Sequence, residues 1–213
     1  VYGVPATVPI PETAPAQPAH PYGGSKRAVE MLIEDAARAA DLRAVALRYF
    51  NAAGASRAHG EDHRPESHLV PAVLHAAFAG APPLVVHGDD WPTPDGTCVR
   101  DYVHVEDLAR AHVAALAALD DGLRGALNLG TTAGHSVREV VAAAAEVTGR
   151  HIPVTVGPRR AGDPPALVAD ATRAARELGW TPRATLRDVL ASAWTWMQAH
   201  PRGYDDGVED ARA

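Results

Sequence analysis

Two hydrophobic periods alternate along nearly the whole chain, and this alternation constrains the fold more than any other feature. Over residues 25–40, Val29, Leu32, Ile33, Ala36, Ala37 and Ala40 follow the i, i+3, i+4, i+7 spacing of an amphipathic helix. Residues 43–50 then form a short β-like run through Val45, Ala46 and Leu47. A polar loop is predicted over 51–67, a helix over 69–78, and strands over 84–87 and 98–103, joined by the turn-rich stretch 89–97. A helix over 105–119 and a strand over 126–129 follow. Ser136 and Glu139 have capping-box spacing, starting a helix that runs to Thr148 with Gly149 placed to end it. Asp170 is placed to cap a short helix ending at Leu178 and Gly179, and the last helix is expected over 185–200. The opening 21 residues, rich in Pro and Ala, read as a loop, and the polar tail from Pro201 is expected to fray. Strand and helix in alternation imply the α/β class.

Composition excludes several functions. With 46% hydrophobic and 22% charged residues the chain has an ordinary globular balance, and no apolar run approaches the roughly 18 residues of a membrane span. A net charge of −6 argues against a nucleic-acid partner. An anionic ligand therefore needs locally gathered arginines. The single cysteine, Cys98, excludes an internal disulfide framework and fits a reducing cytoplasm. Because the chain opens on Val1 rather than Met, it reads as a fragment beginning inside a reading frame.

Of the 20 Lys and Arg side chains, Lys26 is the one lysine. In a sequence so biased toward Arg and Ala, a retained lysine points to a need for an amine, since a guanidinium differs in shape and stays charged. Tyr22 lies four residues before it, so both face one way at the mouth of the first helix. A cation within about 4–6 Å of a phenol favours its ionised form and makes it a usable acid and base. His59, Glu61, Asp62, His63, Glu66 and His68 gather possible metal donors in one loop, but they lack a closed four-ligand spacing, and no metal site is expected. Trp194 and Trp196 read as packing residues of the last helix, and Cys98 has no neighbouring base that would make it a nucleophile.

The motifs around these residues resemble a known family. Tyr22-Gly23-Gly24-Ser25-Lys26 before a helix resembles the catalytic signature of the extended short-chain dehydrogenase/reductases. Arg48-Tyr49-Phe50-Asn51-Ala52-Ala53-Gly54-Ala55 resembles their epimerase branch, as do Gly60-Glu61-Asp62-His63 and His68-Leu69-Val70-Pro71. The stretch 95–105 with Asp107-Leu108, then Leu127-Asn128-Leu129-Gly130, Arg159-Arg160-Ala161-Gly162-Asp163 and Trp194, completes a series in the order of UDP-glucose 4-epimerases.

The resemblance implies NAD-dependent interconversion of UDP-glucose and UDP-galactose, by oxidation and re-reduction at carbon 4. Tyr22 would take the 4-hydroxyl proton while hydride passes to NAD, Lys26 would hold the nicotinamide ribose, and Phe50 would pack near the nicotinamide. Asn51, His68, Leu69, Val85, His87, Arg100, Arg160, Asp163 and Leu167 match substrate-binding positions. Arg100 and Arg160 would serve the diphosphate and ribose, Asp163 the ribose hydroxyls, and Leu69, Val85 and His87 the uracil. Leu167 stands where some members carry a bulkier aromatic, which would leave room for a 2-acetamido group.

The implied fold is the C-terminal part of a Rossmann-type parallel sheet (residues 1–52 and 104–131) plus a smaller α/β UDP-sugar-binding domain (53–103 and 132–213). A homodimer is implied at full length. The family's Gly-x-x-Gly-x-x-Gly turn and its helper Ser or Thr are not among these residues. The fragment itself is therefore expected to be inactive, with an exposed apolar sheet edge. Two alternatives share the motifs: a nucleotide-sugar 4,6-dehydratase or decarboxylase, against which residues 48–55 argue, and a non-catalytic UDP-sugar-binding remnant.

Overall fold

A computed structural model describes residues 1–40 and 42–204. After a loop come α1 (Pro21–Ala40), β1 (Val45–Tyr49), β2 (Asn51–Ala53), α2 (Leu69–His75), β3 (Leu84–His87), β4 (Val99–Arg100) and β5 (Tyr102–His104). The second half holds α3 (Val105–Ala118), β6 (Gly125–Leu129), β7 (His135–Ser136), α4 (Val137–Thr148), β8 (Val154–Gly157), β9 (Ala166–Leu167), α5 (Thr172–Leu178) and α6 (Leu186–Ala199). The chain is α/β with mainly parallel strands. β1 pairs parallel with β6, β2 with β5, and β3 with β8, while β4 lies antiparallel to β7 and parallel to β9.

Several boundaries differ from the sequence expectation, each for a physical reason. α1 begins four residues early, because Pro21 suits a first helical position and His20 Nδ1 accepts from Gly23 N at 3.2 Å. Gly23, inside this earlier first turn, is buried where a Cβ would come 3.0 Å from Pro18 Cβ. The loop expected from Asn51 opens instead with β2. The strand expected over 98–103 is two strands, β4 and β5, which break at Asp101 and pair with different partners. β7, β8 and β9 were not foreseen. α2 ends at His75, three residues short of the expected Phe78.

The predicted helix ends otherwise hold. Ser136 and Glu139 close a capping box on α4, and Gly149 ends it in the left-handed conformation. Thr185 and Asp188 form a second box at α6. Asp170 accepts from Thr172 N at 2.9 Å, although the residue flanking α5 is Ala171. Residues 201–204, expected to fray, are held: Tyr204 OH donates to Gly60 O at 2.9 Å and Tyr204 N to Asp62 Oδ2 at 3.1 Å. The rest of that tail lies outside the described residues.

One core gathers Val70, Leu74, Val86, Val140, Leu190 and Trp194 between α2, α4, α6 and β3. Trp194 packs on Phe78 with ring centroids 4.8 Å apart, as a structural residue. A second core joins β5, β6, α3 and α5 through Val103, Leu108, Leu129, Ala174 and Trp180. Large apolar side chains stay exposed at Val29, Met31 and Leu32 on α1, Tyr49 on β1, and Val113 and Leu116 on α3. No helix among the described residues is long and apolar enough to cross a membrane.

Candidate active site

Helical spacing brings Tyr22 and Lys26 together. Lys26 Nζ lies 5.2 Å from the Tyr22 ring centroid, and the Tyr22 side chain is open to solvent. Ser25 Oγ donates to Tyr22 O at 2.8 Å, and the His20 ring stacks at 6.3 Å. The phenol thus has a cation beside it and free access for a substrate hydroxyl.

Phe50 and Asn51 sit at the carboxyl end of β1, where ligands bind in parallel α/β sheets. Phe50 is half-buried and lies 6.5 Å from the Tyr2 ring. Asn51 Nδ2 donates to Asp101 O at 3.1 Å, so one of its amide hydrogens serves the fold. This contact puts Asn51 beside Arg100. The Arg100 side chain is nearly buried, with Nη1 donating to Val99 O at 2.9 Å and Nη2 3.6 Å from Asp163 Oδ2. Leu167 is the register partner of Arg100. Phe50, Asn51, Arg100, Asp163 and Leu167 therefore form one neighbourhood.

Val85 and His87 occupy the adjacent edge, on β3 alongside β8. Val85 is exposed, and His87 Nδ1 meets Pro158 O at 3.3 Å, next to Arg159 and the exposed Arg160. Sequence reasoning missed the clamp that closes this edge. Arg159 Nε donates to Asp90 Oδ1 at 2.7 Å, and its guanidinium lies 4.4 Å from the Trp91 ring centroid. Arg159 also holds the Asp90 carboxyl below its ordinary value. A side chain at Gly88, where φ is +83°, would collide with both Arg159 and Trp91. That Gly88–Trp91 spacing was the available signal.

His68 and Leu69 stand apart from that neighbourhood, at the start of α2. Leu69 packs on the first core, whereas His68 is exposed, contacts Glu61 through Nδ1 and donates its N–H to Glu66 Oε1 at 2.6 Å. Of the six possible donors in this loop, ligand atoms of His63, Glu66 and His68 lie within 4.8 Å of one another, all exposed. Cys98 is buried, and burial pushes its thiol up, against nucleophilic use.

The model of the NAD dependent epimerase/dehydratase family matches residues 1–130. The chain belongs to that family. It is 47% identical over 209 residues to a UDP-glucose 4-epimerase of Lactobacillus helveticus, covering 96% of this chain and 63% of that protein. Among solved structures, it resembles a UDP-glucose-4-epimerase from Stenotrophomonas maltophila with bound NAD and formylated UDP-arabinopyranose. That match has 44% identity and a TM-score of 0.88, covering 95% of this chain and 62% of that one. The enzyme from Bifidobacterium longum in complex with NAD+ and UDP is 41% identical, also at a TM-score of 0.88, over 95% and 62% of the two chains. The chain thus spans less than two thirds of the length of these relatives.

Sequence reasoning also missed a buried polar chain behind the pair. Glu30 of α1 is bound by Arg48 of β1, Arg48 by Tyr2, and Tyr2 by Asn128 of β6. Burial pulls the Arg48 guanidinium toward release of its proton, but its hydrogen bonds to Glu30 and Tyr2 outweigh this and hold it above its ordinary value. For Glu30, burial acts upward as the largest single effect, but the hydrogen bonds and charges of Arg48 and Arg27 together outweigh it, leaving a carboxyl below its ordinary value.

Proposed function

We propose that these residues act, within a protein of the length of the relatives, in NAD-dependent interconversion of UDP-glucose and UDP-galactose at carbon 4. The observation that carries the reading is Lys26 Nζ seated 5.2 Å from an exposed Tyr22 ring. Further support comes from Arg100, Asp163, Leu167 and Asn51 lying together next to the end of β1. The relatives' bound NAD and UDP favour the same ligands here.

The residues present suit the nicotinamide end of NAD: an open phenol and ammonium, and a half-buried aromatic ring at the strand's carboxyl end. Tyr22, Lys26 and Phe50 would hold that end. NAD supplies the acceptor and donor for the hydride of carbon 4. The Tyr22 phenolate oxygen takes the proton from the sugar 4-hydroxyl and returns it after the sugar has turned. Lys26 sets a positive charge beside the phenol, 5.2 Å from its ring centroid. Arg100 and Arg160 bind the diphosphate and ribose through planar guanidinium donors. Asp163 accepts from ribose hydroxyls, Asn51 donates to phosphate, Leu69, Val85 and His87 line the uracil, and His68 contacts the substrate. Leu167 leaves space for a 2-acetamido group on the sugar.

We assign residues 1–52 and 104–131 to the cofactor-binding unit and 53–103 and 132–213 to the sugar-nucleotide unit. We further assign a cytoplasmic location, which suits a buried free thiol, and a homodimer, which would cover apolar side chains of α1. The test is Tyr22→Phe in the gene product as the cell makes it. The variant should lose about 10²–10⁴-fold in kcat at similar KM. Absence of UDP-glucose to UDP-galactose conversion by the unaltered protein, or full activity of the variant, refutes the reading.

A further inference from the structure

Helix α1 is not held to the rest of the chain by an apolar face. Val29, Met31 and Leu32 are each more than half exposed, and the buried residues of α1 are Gly23 and Glu30. The anchor is therefore an acid. Glu30 accepts two parallel hydrogen bonds from Arg48, Nε to Oε1 and Nη2 to Oε2, both 2.7 Å, and a third from Arg27 at 3.1 Å. Arg48 Nη1 donates to Tyr2 OH at 2.8 Å, and the guanidinium lies 4.9 Å from the Tyr2 ring centroid. Tyr2 OH donates to Asn128 Oδ1 at 2.6 Å, and Asn128 Nδ2 to Ile10 O at 2.8 Å. A continuous bonded path thus runs from α1 through β1 and the opening loop to β6.

Tyr22, Lys26 and Glu30 follow at four-residue steps, so they lie along one stripe of α1. Arg48 lies on β1, two residues before Phe50, and Tyr2 sits against the Phe50 ring. Apolar contacts tolerate sliding. A fork of two parallel charged hydrogen bonds does not: it sets both the rotation of the helix and its position along the strand.

We infer that the buried Glu30–Arg48 pair, backed by Tyr2, is a positioning device that holds the Tyr22–Lys26 pair in register with the end of β1. The inference rests on the reading of Tyr22 as the proton-transfer group. A bare stability role is the competing explanation, and the two separate in the double variant E30M/R48M. Removing both charges together avoids leaving either buried without a partner, so the fold should survive.

Hydrogen exchange of the 213-residue chain should then show α1 amides exchanging about tenfold faster or more, with β6 and α4 unchanged within about twofold. In the gene product as the cell makes it, the same variant should lose kcat while KM for UDP-glucose stays within about twofold. The single variant E30Q, in which the fork loses its charge, should move both readouts in the same direction by less. Unchanged α1 exchange in a folded double variant overturns the inference, and so does an even loss of protection across all elements. If the unaltered gene product does not epimerise UDP-glucose, the proposed function fails, and exchange alone then decides the positioning claim.

Discussion

The carboxylate of Asp101 gives the sharpest test of how this chain is held together. Its side chain is fully buried where β4 gives way to β5. Oδ1 accepts from Thr131 N at 2.8 Å and Thr131 Oγ1 at 2.6 Å, and Oδ2 accepts from Thr132 N and Ala169 N, both at 3.1 Å. One acid therefore ties the end of β6 and the segment after β9 to the β4–β5 break. Asp101→Asn is nearly isosteric and keeps one oxygen for Thr131. Its amide N–H₂ group would face the Thr132 and Ala169 donors, leaving both without an acceptor. At about 1–3 kcal/mol for each orphaned donor, less the gain from burying an amide in place of a charge, the net cost is about 3 kcal/mol. Domains of this kind have about 5–15 kcal/mol in total, so the loss is large. With a urea slope of about 2 kcal/mol/M, the midpoint should fall by about 1.5 M at unchanged slope. A midpoint within about 0.3 M of the unaltered chain would show that Asp101 does not tie these segments together.

Two further outcomes follow from the same contacts. Glu30 has a folded value below its ordinary 4.5, so its stabilisation is complete above pH 4.5 and is lost as pH falls through the folded value. Melting temperature should therefore drop more steeply below about pH 4.5 for the unaltered chain than for Glu30→Gln, and parallel acid limbs would contradict this. The apolar side chains left open at Val29, Leu32, Val113 and Leu116 should make the isolated 213-residue chain self-associate. Sedimentation of a monomer that melts cooperatively would count against that expectation.

Much of the fold was legible because its signals are local. The capping box at Ser136 and Glu139, the left-handed Gly149 and the β3 boundaries each depend on a few adjacent residues. What the sequence hid depends on distant partners. The run 98–103 reads as one strand, and only pairing with β2 on one side and with β7 and β9 on the other divides it at Asp101. The two-residue strands β7 and β9 are too short to show any period. The site divides in the same way. Tyr22 and Lys26 were readable from a four-residue step, whereas Glu30 meets Arg48 across 18 residues and Arg48 meets Tyr2 across 46. Asn51 looked free to serve a ligand, but part of its amide is committed to Asp101 O.

On the proposed function, this chain carries a sugar-nucleotide site built around Arg100, Arg160 and Asp163. Calorimetric titration of the 213-residue chain with UDP tests it most directly. Saturable binding at one site is expected, weakened about tenfold or more by Arg160→Ala and left unchanged by Tyr22→Phe. No binding of UDP, or equal binding by the Arg160→Ala variant, would contradict it.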